Sequence, residues 1–145
     1  MLLISDSNII ISAIVSPNGT ISNIIHSKRK FKIIAPEFLK VEINRHKEKI
    51  LKLTGYSVNE YELIYKELIA NIQFVDTNGI PKYYTQKAFD LVKDIDLDDL
   101  EFVELALYKR CLLWTVDRSL VNGLKKKGFT KIITTSELRK FLYKK

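Results

Sequence analysis

Leu112-Leu113-Trp114-Thr115-Val116-Asp117-Arg118-Ser119-Leu120 joins an apolar run to an acid and then to a stretch of helical period. A short apolar run bounded by charge reads as a buried strand. Asp117 stands at its end, where the next helix begins. The chain opens the same way: Leu2-Leu3-Ile4-Ser5 is a short apolar run, Asp6 follows it, and Ser7-Asn8-Ile9-Ile10 starts a helical stretch. If these two strands lie side by side in a parallel sheet, both acids emerge at its carboxyl edge, where open α/β sheets bind their ligands.

Apolar runs and helix-period stretches alternate along the whole chain, the pattern of βαβ units. Strands are expected at Leu2–Ser5, Lys32–Ala35, Ile72–Val75, Leu112–Val116 and Lys131–Ile133. Helices are expected near 8–14, 20–29, 37–52, 58–71, 81–93, 99–110, 118–127 and 135–143. Neither a repeat nor a low-complexity linker interrupts this order, so residues 1–145 read as one domain. Asp98-x-x-Glu101 and Thr134-x-x-Glu137 carry capping-box spacing. In the helix from 99, Phe102, Val103, Ala106 and Leu107 form an apolar face, with Glu101, Glu104 and Tyr108 opposite.

Composition narrows the function. A chain of 145 residues, 46% hydrophobic, can bury a real core. It has no apolar run of about 18 residues to span a membrane. Its start lacks the charged head and cleavage site of a secretory signal. The lone Cys111 suits a reducing interior, so a cytoplasmic protein is expected. The net charge is +7, and residues 118–145 hold nine cations against Glu137, a local +8. Such a tract suits phosphate contacts with a polyanion; a chain this rich in Ile, Lys and Asn also acquires it from AT-rich coding.

The acids each have two readings. Asp6 and Asp117 are metal ligands at strand ends or plain helix caps. Glu42 shares a helix face with Leu39, Ile43, His46 and Ile50. A carboxylate there is costly to bury unless it is metal-bound or paired, and Arg45 or His46 offers the pairing. Asp98 has the capping position, which leaves Asp99 in the first turn as the better ligand. Asp94 and Asp96 read as solvated loop acids. Thr115 projects to the same side of its strand as Asp117, with a hydroxyl for that carboxylate or a bound water. Acids meeting in one crevice repel each other unless a cation neutralises them, and hard oxygen donors select Mg²⁺ or Mn²⁺.

The phrases Ser5-Asp6-Ser7-Asn8-Ile9, Val41-Glu42-Ile43, Asp98-Asp99-Leu100-Glu101-Phe102 and Trp114-Thr115-Val116-Asp117 follow in the order and approximate spacing of the PIN-domain family. From Asp6 to its last helix the chain resembles VapC-type members. The resemblance implies an α/β three-layer sandwich around a five-stranded parallel sheet, order 3-2-1-4-5, with strands 1 and 4 adjacent. It also implies a metal-dependent ribonuclease, often the toxin of a toxin–antitoxin pair and often a homodimer. On that likeness Asp6, Glu42, Asp99 and Asp117 hold Mg²⁺ or Mn²⁺, supported by Thr115 and Asn8. Val116 stands where many relatives have a small residue and is expected to narrow the approach.

The expected reaction is hydrolysis of an RNA phosphodiester, one or two divalent ions activating water and polarising the phosphate. Arg118, Lys125, Lys126 and Lys127 are the expected phosphate contacts, and a cognate antitoxin the expected protein partner. His26 and His46 have no evident partners for imidazole chemistry, and a Cys/His zinc array is absent from the sequence. An aspartyl phosphatase needs a second acid two residues after Asp6, where Asn8 stands. A receiver domain needs paired acids after strand 1 and an acceptor after strand 3, where Asp76 is alone. The other alternative is a PIN-like module that binds RNA or protein without cutting.

Overall fold

Runs as apolar as Leu2–Ile4 make stable strands only when both faces are covered. Leu3 and Ile4, adjacent residues that point to opposite faces, are both fully buried. The structure, a computed structural model that describes residues 1–144, places five parallel strands in the order 3-2-1-4-5. They are β1 (Leu2–Ser5), β2 (Lys32–Pro36), β3 (Ile72–Val75), β4 (Leu112–Trp114) and β5 (Ile132–Ile133). Ser5 pairs with Trp114, so β1 and β4 end level with each other at the centre of the sheet. This is the expected α/β architecture.

Among the described residues nine α-helices flank the sheet. These are α1 (Ser7–Val15), α2 (Thr20–His26), α3 (Phe38–Arg45), α4 (Lys47–Thr54), α5 (Val58–Ile69), α6 (Lys82–Val92), α7 (Leu100–Lys109), α8 (Arg118–Lys126) and α9 (Thr135–Leu142). Helix α7 packs on β1, β2 and β4 and is covered in turn by α6, whereas α1 packs on α2, α3, α4 and α5. Trp114 is fully buried, and its indole Nε1 donates to Thr135 Oγ1 at 3.0 Å, tying β4 to the start of α9.

Four details differ from the sequence reading. The helix expected over 37–52 breaks at His46 into α3 and α4. An unbroken helix there would run straight for about 24 Å; the bend keeps both halves against α1. Strand β4 stops at Trp114 rather than Val116, because Thr115 Oγ1 accepts the amide of Asp117 at 3.1 Å and turns the chain. Glu104 is buried instead of facing solvent, since α7 is covered all round from Phe102 to Ala106. Burial pushes its carboxyl up, partly offset by a hydrogen bond with Thr85.

The fourth difference concerns caps. The Thr134 box forms in full: Thr134 N donates to Glu137 Oε1 and Glu137 N to Thr134 Oγ1, each at 3.2 Å. The Asp98 box does not form. A 3₁₀ turn over Leu97–Asp99 precedes α7, and Asp96 caps that turn by accepting the amide of Asp98 at 3.0 Å. Glu101 instead accepts the Thr77 hydroxyl at 2.5 Å. Thr134→Ala is therefore expected to lower unfolding free energy by about 1 kcal/mol in urea titrations. Asp98→Ala, which removes an exposed charge and its solvent-exposed ion pair with Arg45, should change it by less than about 0.5 kcal/mol.

Candidate metal centre

Asp6 leaves β1 in an extended conformation and caps α1, Oδ1 accepting the amide of Ile9 at 3.0 Å. Its Oδ2 accepts the Thr115 hydroxyl, which arrives from the end of the neighbouring strand. Asp117 repeats the device on α8, where its Oδ1 accepts the amide of Leu120 at 3.2 Å. Cap and site residue are not alternatives at these positions, because an ionised carboxylate has about four acceptor sites; the cap takes one, and at Asp6 the Thr115 hydroxyl takes a second. The sequence assigned the Thr115 hydroxyl to the Asp117 carboxylate or a water. It serves the Asp6 carboxylate and the Asp117 amide, because the level ends of β1 and β4 bring Asp6 within reach.

Glu42 projects from α3 and accepts the Ser7 hydroxyl at 2.7 Å. The alternative pairing with Arg45 does not form, since Arg45 Nη1 lies 3.8 Å from Asp98 Oδ2. Burial pushes the Glu42 carboxyl up; the Ser7 bond and His46 ease it, and Asp98 and Asp96 push it further.

Asp99 ends the 3₁₀ turn at the start of α7. Its Oδ2 is buried without a hydrogen-bond partner, the one such side-chain atom among the described residues. Burial, then repulsion from Asp96, Asp6, Asp117 and Glu42, raises its pKa to about 7. Asp6 is raised to about 6, by burial first and more weakly by Asp117 and Glu42, against the bonds from Thr115 and Ile9. Asp6 and Asp99 thus both feel Glu42 and Asp117 at the carboxyl edge between β1 and β4. An unpartnered buried oxygen in that field suits a divalent cation, so Asp6, Glu42, Asp99 and Asp117 fit the group. Among the described residues no three carboxylate, imidazole or thiol groups form a ready-made cage.

The remaining expected residues fall in two places. Asn8 is exposed in the first turn of α1. Arg118 begins α8 and lines a cavity of about 470 Å³ with Thr115, Thr134 and Ser136. Val116 lines the same cavity and is 44% exposed. Lys125, Lys126 and Lys127 lie at the opposite end of α8, about 12 Å along its axis from Asp117. Lys127 donates to the carbonyls of Asp90 and Leu91 and pairs with Asp94, fastening α8 to the end of α6. That pairing holds the Asp94 carboxyl below its ordinary value, so Asp94 is a tethered acid. Sequence reasoning missed Ser7 as the donor to Glu42, and Asp96 as cap of the turn that carries Asp99. The Asp96-x-Asp98 spacing is that of an Asx turn, the signal that was available.

A family model described as PIN domain matches residues 4–139. The chain belongs to the PIN-domain family. Among solved structures, the crystal structure of VapBC2 from Rickettsia felis bound to a DNA fragment from their promoter has a chain similar to this PIN domain. The TM-score is 0.71 at 14% identity, covering 92% of this chain and 98% of that one. At that identity the likeness is one of fold. No curated protein matches.

The raised carboxyls of Asp6 and Asp99, with those of Glu42 and Glu104 shifted in the same direction, give the PIN domain a signed pH dependence. The two aspartates hold protons more tightly than the ordinary Asp value of 3.8, Asp6 to about 6 and Asp99 to about 7. Between those values and 3.8 the folded state binds more protons than the unfolded one, so stability falls as pH rises through the window. Thermal melts in chelator should show a falling Tm between about pH 4 and about pH 7. Asp99→Asn, which removes one titration and the repulsion behind it, should flatten the slope and melt higher at neutral pH.

Proposed function

We propose that this PIN domain is a Mg²⁺- or Mn²⁺-dependent endoribonuclease of VapC type, the toxin of a toxin–antitoxin pair. The observation that carries the proposal is the buried, unpartnered Oδ2 of Asp99 inside the field of Asp6, Glu42 and Asp117. Those four side chains would hold the metal. When bound, it polarises the scissile phosphodiester and makes water acidic enough to attack at neutral pH.

The chain's own residues supply positioning. Thr115 and the Ile9 amide hold Asp6 in one orientation, leaving its carboxylate little freedom to lose when it becomes a ligand. Ser7 does the same for Glu42. Asp6 and Asp99, raised to about 6 and about 7, would have to be deprotonated to serve as ligands. Arg118, exposed at the start of α8, is the phosphate contact at this edge of the sheet. Lys125 and Lys126, about 12 Å along α8 from Asp117, are left for phosphates further along the same strand, and Lys127 is committed to α6.

An antitoxin and a second copy of the chain are the proposed protein partners, and the cytoplasm the proposed location. No helix among the described residues is long and apolar enough to cross a membrane, although α1 and α2 together form an apolar bent pair. Helix α1 has five buried residues, as the core helix of a water-exposed domain should.

Purified protein should cleave single-stranded RNA with Mg²⁺ or Mn²⁺ and stop in EDTA; cleavage that persists in EDTA would refute the metal role. Asp99→Asn should lose more than about 100-fold in turnover, together with the rise in Tm that Mn²⁺ gives the parent protein. Thr115→Val leaves all four carboxylates in place and should cost about 10- to 100-fold. A PIN module that binds RNA without cutting would retain RNA affinity and give no products under any of these conditions.

A further inference from the structure

At the far end of α7 from Asp99 the surface carries a second cluster. Helix α7 is ten residues long, so about 15 Å separates its two ends. Beyond its C-terminus lies a cavity of about 430 Å³ lined by Tyr83 and Tyr84 of α6, Arg110, and the segment from Gly128 to Lys131. Lys87, Arg110 and Lys131 bring three positive charges to its wall, and none of its lining residues is acidic.

The aromatic rings are ordered. Tyr83 and Tyr84 meet edge to face at 5.1 Å and 84°, and Tyr84 meets Tyr108 at 5.4 Å and 68°. Lys87 lies 5.9 Å from the centre of the Tyr83 ring and Lys109 5.6 Å from that of Tyr108. Tyr83 is 67% exposed, so its ring is open to a stacking partner.

A third observation concerns the backbone. Arg110 has φ of 53°, the single non-glycine residue with positive φ among the described residues. It terminates α7 in the left-handed conformation, where glycine is normally preferred. An arginine held there against its own steric preference points to a use for the guanidinium, which lines the cavity.

Cations beside exposed tyrosine faces match the two chemistries of single-stranded nucleic acid, phosphates and stacked bases. We propose that this cavity is an RNA exosite: Lys87, Arg110 and Lys131 take phosphates, and Tyr83 stacks a base of the same strand whose scissile phosphate lies at the carboxylates. The inference rests on the ribonuclease reading for its substrate class. The exosite adds affinity for long single strands and takes no part in bond cleavage.

The test compares a short RNA of about four nucleotides with one of about 16. Binding is measured by fluorescence anisotropy on the full chain and cleavage with Mn²⁺. Arg110→Gly relieves the left-handed strain, so its Tm should equal or exceed that of the parent. Its affinity for the long RNA should nonetheless fall, with the log–log salt slope flatter by roughly 0.7. Tyr83→Ala should weaken long-RNA binding about tenfold, whereas Tyr83→Phe, which keeps the ring, should not. Short-RNA binding and turnover should stay at parent values in all three.

Unchanged long-RNA affinity in Arg110→Gly and Tyr83→Ala would overturn the exosite, and so would equal losses on both lengths, which would mean contacts at the carboxylate edge. Selective loss of an acidic protein partner with RNA binding intact would overturn it as well. Absence of any cleavage by the parent protein would sink the ribonuclease reading, while the binding comparison still decides the exosite.

Discussion

The hydroxyl of Thr115 reaches across from β4 to the carboxylate of Asp6 on β1, and most of the chain is arranged so that it can. The bond requires two strands distant in sequence to be neighbours and to end at the same level, which the Ser5–Trp114 pairing provides. Adjacent parallel strands need crossover connections, and the helices that supply them bury the sheet on both faces. Once that frame exists, each strand end is followed at once by a helix whose free amides bind the acid between them. Asp6 and Asp117 are thus fixed by local backbone chemistry, while Glu42 and Asp99 arrive on separate helices. The charges meet because the topology has nowhere else to put them.

Much of this was readable in the residues. The five strands coincide with apolar runs that no other element could bury, and Thr134-x-x-Glu137 marked the start of α9 to the residue. Two of the failures depend on what packs against an element from outside it, whereas the shortened β4 and the missing Asp98 box come from side-chain bonds two residues away in sequence. Glu104 is buried because α6 covers the second side of α7, which a helical wheel of α7 alone cannot reveal. The two helices on either side of His46 both pack on α1, with neither glycine nor proline at the break to announce it. Asp98 has the spacing of a cap, yet Asp96 closes a tighter turn first and the longer-range box has no amide left to claim. At the site, residue type and strand position were legible, but the partners were not: Ser7 for Glu42, and Thr115 for Asp6 in place of Asp117, are tertiary contacts.

Charge is divided unevenly between the two ends of the sheet. Negative groups gather where strands finish, with the burial that makes them repel. Positive groups spread over the opposite end, and there they do several jobs. Lys127 fastens α8 to α6, and Lys30 Nζ donates to the carbonyls of Phe141 and Lys144, completing the end of α9. Within residues 118–145, whose net charge is +8, Lys127 is therefore not available as part of a basic patch. It is partly structural mortar, and a simple count of lysines overstates the surface left for a polyanion.

The double use of Asp6 and Asp117 has an evolutionary consequence. Asparagine caps a helix about as well as aspartate does, and a single-base transition in an aspartate codon produces it. At each of these two positions the chain therefore sits one mutational step from a form that keeps its helix starts and lacks the charge. Acids at both positions are therefore more than the helix caps alone demand.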